Sequence, residues 1–379
     1  MENFLVEDFS FGWITYNLLY FFFIYLIFHK IKESQNYLLN IVTCTVILLI
    51  ALFGNAITPD FNSYISLVKD IKNTLHPEKI NDIEPVYKYI IHHFANSHFL
   101  FQTIIFISQI ILFFIIISSL KYHNLPIFYL FFITLCLYWG FISGRSSLYI
   151  YFYIFGLFLF AFYKQRLLGL GFIFISMFLH KSAFYFIPLI SLLLFLPIHK
   201  ILNNKLLIII FFIIFTLFLI LIKNLLSQIF DNIITIDGFE GEGYIRRQYS
   251  LHEGKSLIWD LIFKIQISIF IFSVFILLYK YKYIYNRFNQ FLKIMYKLLF
   301  WISTLTIFYF LLDLPDDTIG TRLLTIAYLP FCIFISSKEI YKTITKRNLY
   351  LICILTFIYM LCTNLYILGV ARTTYKFFI

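Results

Sequence analysis

Three isolated basic sites lie at the ends of long apolar runs. Arg145 stands in "SGRSS", His180 and Lys181 stand in "FLHKSAF", and Arg322 stands in "LPDDTIGTRLL". Arg has a planar set of donors that matches phosphate oxygens, and it keeps its charge when it is partly desolvated. These residue types therefore fit an anionic lipid headgroup such as a diphosphate, whose developing charge they would stabilise if it were a leaving group.

Further polar residues accompany these cations in two stretches that are not membrane spans. Asp60, Tyr64, Glu84 and Tyr87 lie in the first stretch, and the pair Arg246 and Arg247 lies in the second. An attacking sugar hydroxyl needs a base, for which His180, Glu84 and Asp60 are the candidates.

Each of these residues also has a structural interpretation that stays open. Arg145 can anchor a helix end by snorkelling, His180 and Lys181 can be loop punctuation at the end of a span, and Arg322 can neutralise Asp316 or Asp317. Arg246 and Arg247 can balance nearby Glu residues, while the residues of the first stretch can cap helices or anchor them at the interface.

The elements that position these residues are membrane helices. The chain has 379 residues, of which 61% are hydrophobic and 13% are charged, so a water-soluble fold could not bury its apolar surface. Apolar runs of spanning length predict an all-α polytopic membrane protein with about 12 transmembrane helices. The predicted spans are 11–28, 37–54, 99–119, 126–142, 147–163, 167–179, 184–198, 205–222, 259–279, 296–312, 321–336 and 349–369.

The charges predict the orientation of the chain. One set of alternate loops holds 16 of the 30 Lys and Arg but 2 of the 19 Asp and Glu. By the positive-inside rule these loops face the cytoplasm, which places both termini outside. The net charge of +11 is then a topology signal and gives no reason to invoke nucleic acid. The basic, Tyr-rich stretch 280–297 is predicted to be an interfacial helix on the inner leaflet.

The chain 1–379 is predicted to form one integral membrane domain with two long outer loops. Loop 55–98 has helical periodicity, with Pro85 suited to a first turn, and is predicted to contain interfacial helices. Loop 223–258 is rich in Gly and charge, which is typical of a mobile loop. Under this topology all the polar residues named above face the outer side of the membrane.

Neither a metal nor another cofactor is expected. His92 and His93 are adjacent, so on a helix they point about 100° apart and do not share a metal easily. The sequence has no Walker A motif, no GxGxxG and no HExxH, which removes support for nucleotide-driven transport and for zinc proteolysis.

The order of these motifs resembles the EpsG/Wzy-type family of bacterial polysaccharide polymerases. The motifs that carry the resemblance are "PDFNSY" with Asp60 and Tyr64, "EPVY" at 84–87, Arg145 in "SGRSS", "KQR" at 164–166, "FLHKSAF" at 178–184, and the late Arg322. One departure is "SSLYIYF" after Arg145, where family members often have Gln and a run of small residues.

The resemblance implies a GT-C-like helical architecture and a metal-independent glycosyltransferase of the bacterial inner membrane. The enzyme would transfer a growing glycan from undecaprenyl diphosphate to a sugar hydroxyl of a lipid-linked repeat unit at the outer face. Its partners would be undecaprenyl-diphosphate-linked repeat units, membrane lipids and a chain-length regulator of the pathway. Arg145, Arg322, Arg246, Arg247 and Lys181 would bind the diphosphate, and Tyr64 and Tyr87 would position the substrate.

Two alternatives remain at this point. A lipid-linked oligosaccharide flippase also has about twelve helices, but its cations should line a cavity at mid-membrane depth. A membrane acyltransferase that modifies surface glycans would need a catalytic His that reaches the cytoplasm.

Overall fold

The protein is described by a computed structural model that covers residues 9–29, 36–53, 85–93, 98–120, 124–142, 145–198, 257–311 and 317–375. Five of the predicted site residues lie outside these ranges: Asp60, Tyr64, Glu84, Arg246 and Arg247. The predicted span 205–222 lies outside them as well. For Arg145 and Lys181 the backbone is described but the side chain is not.

Every element in the described residues is helical. The α-helices are α1 (Phe9–Phe28), α2 (Asn36–Phe53), α3 (Pro85–His93), α4 (His98–Ser119), α5 (Leu125–Phe131), α6 (Arg145–Ala161), α7 (Arg166–Phe178), α8 (Lys181–Leu193), α9 (Leu257–Tyr281), α10 (Gln290–Leu311), α11 (Asp317–Ser336), α12 (Lys338–Tyr341) and α13 (Lys346–Tyr375). A π-helix, Phe132–Ile142, continues α5, and a 3₁₀-helix, Lys282–Arg287, follows α9.

A helix occupies every predicted span that lies within the described residues, which confirms an all-helical architecture for that part of the chain. Four described helices are long and apolar enough to cross a membrane: Leu100–Ser119, Lys264–Arg287, Gln290–Phe308 and Lys346–Leu365. The protein is therefore consistent with a helical membrane protein. Twelve crossings and the two outer loops stay predictions. The sixth and seventh spans are short as predicted, because α7 and α8 have 13 residues each.

Two glycines bring α6 and α7 into backbone contact. A Cβ built on Gly156 would lie 2.8 Å from the Gly169 carbonyl oxygen, and a Cβ on Gly169 would lie 2.7 Å from the Gly156 carbonyl oxygen. Residues that lack a Cβ allow such close approach between membrane helices. Because α7 returns the chain tightly along α6, it brings the start of α8 beside the start of α6.

The helices define two ends of the bundle, each marked by its contacts. At one end, which we call the Tyr149 end, Tyr149 of α6 lies beside His180 and Arg322. At the opposite end, which we call the Leu194 end, Lys297 Nζ donates to the Leu194 carbonyl oxygen at 2.6 Å. There the backbone N–H of Asn124, before α5, also donates to the carbonyl oxygen of Ser336, the last residue of α11, at 2.9 Å.

The prediction of an interfacial helix over 280–297 is wrong. Helix α9 continues to Tyr281, the 3₁₀-helix follows, and α10 begins at Gln290. Most aromatic residues of this stretch are buried, with Tyr283 as the exception at 77% exposed, and the Tyr285 ring is 5.2 Å from the Tyr296 ring. The stretch is thus a short connection between two long helices. Contacts between aromatic rings across the turn bury side chains that an interfacial helix would place at the membrane surface.

Candidate functional site

A buried tyrosine forms the centre of a polar cluster at the Tyr149 end. Tyr149 is 1% exposed, and its ring centroid lies 5.6 Å from that of His180. Its hydroxyl lies beside the hydroxyls of Ser182 and Thr325 and interacts electrostatically with Arg322. Within the described residues this hydroxyl makes no hydrogen bond of standard geometry. A buried polar atom of this kind normally has a partner, so the cluster has the character of a binding site.

Three helices that begin near the same point build this cluster. Tyr149 is one helical turn after Arg145, the first residue of α6, so both residues lie on the same face of α6. His180 directly precedes α8, and Arg322 lies in the second turn of α11. The N-terminal parts of α6, α8 and α11 thus meet at one end, where helix dipoles favour negative charge.

His180 caps the first turn of α8. Its backbone is extended, with φ −157° and ψ 140°. The backbone N–H of Ser182 donates to Nδ1 at 3.2 Å, and the Ser182 Oγ lies 2.8 Å from the same nitrogen. The spacing of "HKS" explains this geometry, because an N-cap side chain accepts from the N–H group two or three residues later.

The cap fixes the tautomer of His180. Since Nδ1 accepts the Ser182 N–H, its lone pair is in use, and the proton of the neutral imidazole is on Nε2. The ring is 6% exposed. In this arrangement His180 presents a hydrogen-bond donor through Nε2 while Nδ1 is held by the helix.

Arg322 is half-buried and lies beside an aromatic hydroxyl. Its backbone carbonyl accepts a hydrogen bond from Thr325 Oγ1 at 2.8 Å, which places Thr325 in the same cluster. Its guanidinium interacts electrostatically with the phenol of Tyr149. Asp316 and the side chain of Asp317 lie outside the described residues, so the predicted alternative of local neutralisation stays open.

The structure brings two of the predicted site side chains together and shows a packing contact for a third. His180 and Arg322 share the cluster, whereas Tyr87 of α3 is 0% exposed and packs edge-on against Phe101, with ring centroids 6.4 Å apart. Tyr87 is positioned by the helix that starts at Pro85, the first-turn position that the sequence predicts.

Sequence reasoning missed three members of the cluster, namely Tyr149, Ser182 and Thr325. Two signals were present in the sequence. Ser182 belongs to the quoted "HKSAF" motif, and Tyr149 is four residues after Arg145, which puts both on one face of a helix. Thr325 is likewise one turn beyond Arg322, but nothing in the sequence says which helices meet.

The described residues contain no group of three His, Cys, Asp or Glu side chains able to hold a metal ion. His93 is engaged locally, with Nδ1 3.2 Å from the Tyr89 carbonyl oxygen and its ring stacked on that of Tyr89. The polar groups that the described part of the cluster offers to a ligand are a guanidinium, an imidazole and hydroxyls, which suit an anion.

A family model decides the relationship of this chain to known proteins. The model of the EpsG family matches residues 36–378, which includes every motif discussed above. The chain belongs to the EpsG family. This is the family of Wzy-type polysaccharide polymerases, and membership supports a polysaccharide-polymerase role in general. No curated protein and no solved structure gives a significant match.

Proposed function

We propose that this EpsG-family protein polymerises a surface polysaccharide from undecaprenyl-diphosphate-linked repeat units at the outer face of the bacterial inner membrane. The observation that carries the proposal is the cluster of Arg322, His180 and Tyr149 at the meeting point of three helix N-termini. A half-buried guanidinium beside N–H and O–H donors is complementary to a diphosphate.

The proposed reaction is a glycosyl transfer. A hydroxyl oxygen of the acceptor repeat unit attacks the anomeric carbon of the growing glycan, and the bond between that carbon and the diphosphate oxygen breaks. The electron pair leaves with undecaprenyl diphosphate, whose new charge is stabilised by Arg322 together with Arg145, Lys181, Arg246 and Arg247.

The geometry of His180 sharpens its part in this proposal. Because Nδ1 accepts from Ser182, the neutral ring donates through Nε2 and suits a phosphate or leaving-group oxygen better than a hydroxyl proton. We therefore assign His180 as a donor to the diphosphate. Asp60 and Glu84 remain as the bases that receive the acceptor proton, and Tyr64 as a substrate-positioning residue.

The cavity in the described part of the bundle disfavours a flippase. A flippase needs cations that line a path at mid-membrane depth. An apolar groove between α9 and α13 has one cation, Lys280, at its end. Family membership favours the polymerase over the acyltransferase as well.

A deletion strain tests the proposal. We expect loss of the gene to leave surface glycan with single repeat units, and re-expression to restore the ladder of longer chains. Expression is checked by immunoblot of an epitope-tagged copy. Loss of all surface glycan, including single repeats, would show instead that export of the repeat unit fails, as for a flippase.

A further inference from the structure

An apolar groove lies between α9 and α13, away from the Tyr149 cluster. Its volume is about 400 Å³, within the range of ligand sites of about 300–1,000 Å³. Phe131, Leu135 and Phe331 form its floor. Two polar contacts tie the walls together: Gln266 Nε2 donates to Thr363 Oγ1 at 2.8 Å, and Thr343 Oγ1 donates to the Tyr281 hydroxyl at 2.8 Å.

The groove opens toward lipid. Its rim includes Phe272, which is 68% exposed, and Leu351, which is 55% exposed. Both residues lie within stretches that are long and apolar enough to cross a membrane, Lys264–Arg287 and Lys346–Leu365. The occupant of the groove therefore comes from the hydrocarbon region of the bilayer, not from water.

The length of the groove matches one leaflet. The α9 residues that line it run from Ile269 to Tyr281. At a rise of about 1.5 Å per residue this stretch is roughly 18 Å long, a little more than half of the hydrocarbon thickness of about 30 Å. A single acyl chain of one leaflet fits this length, whereas an undecaprenyl tail is several times longer.

Charge is confined to one end of the groove. Lys280 and the side-chain amide of Asn348 line it at the Leu194 end, while the rest of the lining is apolar or bears hydroxyls. The neighbouring turns are basic, and Glu339 is the one acid in residues 280–297 and 337–348. The cations in those turns are Lys282, Arg287, Lys293, Lys297, Lys338, Lys342, Lys346 and Arg347. Basic pockets between membrane helices attract anionic headgroups.

We propose that this groove binds one anionic phospholipid of the leaflet at the Leu194 end. Its acyl chain lies between α9 and α13, and its headgroup phosphate contacts Lys280 and Asn348. The site is separate from the proposed polymerase site, so it stands or falls independently of that function.

The test uses native mass spectrometry of the delipidated full-length protein, titrated with phosphatidylglycerol or phosphatidylcholine of the same acyl composition. We expect one molecule of phosphatidylglycerol to bind more tightly than phosphatidylcholine does. Lys280→Gln should weaken phosphatidylglycerol binding about fivefold and leave phosphatidylcholine binding unchanged, because one cation near anionic lipid is lost. Lys342→Gln, which removes a cation outside the groove, should bind like the wild type.

A second pair of variants tests the acyl-chain part of the groove. Ser273 lines the groove and Ser268 does not, and each donates its hydroxyl to the carbonyl one turn earlier on α9. Ser273→Phe should abolish binding, whereas Ser268→Phe should retain it. Size-exclusion profiles show which variants fold. If Ser273→Phe does not fold, the proposal is tested by Lys280→Gln, a change at an exposed side chain.

Three results would overturn the proposal. The first is equal binding of both phospholipids to the wild type, and the second is equal binding by folded Ser273→Phe and Ser268→Phe. The third is tighter binding of undecaprenyl phosphate than of phosphatidylglycerol to the wild type, lost in folded Ser273→Phe, which would assign the groove to the polyprenyl carrier.

Discussion

The two ends of the bundle both carry cations, but the described residues surround those cations differently. At the Tyr149 end, Arg322 is half-buried beside a buried phenol and an imidazole. At the Leu194 end, most of the cations are exposed, and the buried one, Lys282, has its Nζ 4.0 Å from the Tyr279 ring centroid. The number of positive charges does not separate a catalytic site from a membrane-facing surface. The neighbouring polar groups do.

This difference has a physical basis. A lysine on a tyrosine face is stabilised by the ring, and an exposed lysine is stabilised by water, so neither needs a ligand. A partly desolvated guanidinium next to a buried phenol gains much more from an anion. The first arrangement suits contact with lipid headgroups and orientation of the protein in the membrane. The second arrangement suits a diphosphate.

The largest effect is expected for Arg322→Ala. If this guanidinium stabilises the leaving diphosphate, its removal should slow polymer formation about 10²–10³-fold. The measurement is the rate at which long-chain glycan accumulates in the complemented deletion strain. Arg347→Ala, the same change at an exposed position of the Leu194 end, should leave that rate unchanged, and equal loss in both variants would abolish the distinction between the ends.

His180→Asn separates capping from donation to the substrate. Asn is a good N-cap, so stability should be kept, but loss of the Nε2–H donor should reduce polymerisation about tenfold to a hundredfold. His180→Ala should lose both functions and lower the free energy of unfolding by about 1 kcal/mol. Polymerisation rates and thermal melts in detergent give the two readouts. Full activity in the folded Asn variant would reduce His180 to a cap.

Gly169→Ala tests the scaffold of the Tyr149 end. The added Cβ would lie 2.7 Å from the Gly156 carbonyl oxygen, so α6 and α7 must move apart. This should lower the free energy of unfolding by about 1–3 kcal/mol. Melting temperature and polymerisation should both fall. Gly171→Ala, on the same helix with nothing within 4 Å of its added Cβ, should change neither. If both variants melt alike, the α6–α7 contact does not hold the site.

Tyr149→Phe should have the smallest effect. It removes one hydroxyl from the cluster and is expected to slow polymerisation about fivefold, the value of one neutral hydrogen bond of about 1 kcal/mol. Tyr153→Phe removes a hydroxyl one turn further along α6, where it lies 3.3 Å from Ser191 Oγ, and should leave the rate unchanged. A larger loss of rate in Tyr153→Phe than in Tyr149→Phe would contradict a site at the helix N-termini.

The helices were predictable from the sequence, and their meeting points were not. The length of the apolar runs predicts where α1, α2 and α4 lie to within a few residues, because lipid requires internally satisfied backbones. The π-helix was missed, since its residues have the same apolar composition as an α-helical span. The turn at 282–287 was misassigned because aromatic packing across helices overrides amphipathic patterning.

The candidate site was half-predictable for the same reason. Arg322 and His180 are conspicuous in sequence because charges at the ends of spans are few. Their proximity depends on how α6, α8 and α11 pack, and that information lies in close contacts such as Gly156 with Gly169. Tyr149 is one of 29 tyrosines in the chain, so its composition alone gave no reason to select it.

Direct binding of the carrier tests the central claim most simply. Fluorescently labelled undecaprenyl diphosphate is titrated into wild-type protein, Arg322→Ala and Arg347→Ala, each in phosphatidylcholine nanodiscs. We predict that Arg322→Ala weakens binding about tenfold or more, as expected for a charge-assisted contact, while Arg347→Ala matches the wild type. Equal affinity in all three proteins would contradict a diphosphate site at the Tyr149 end.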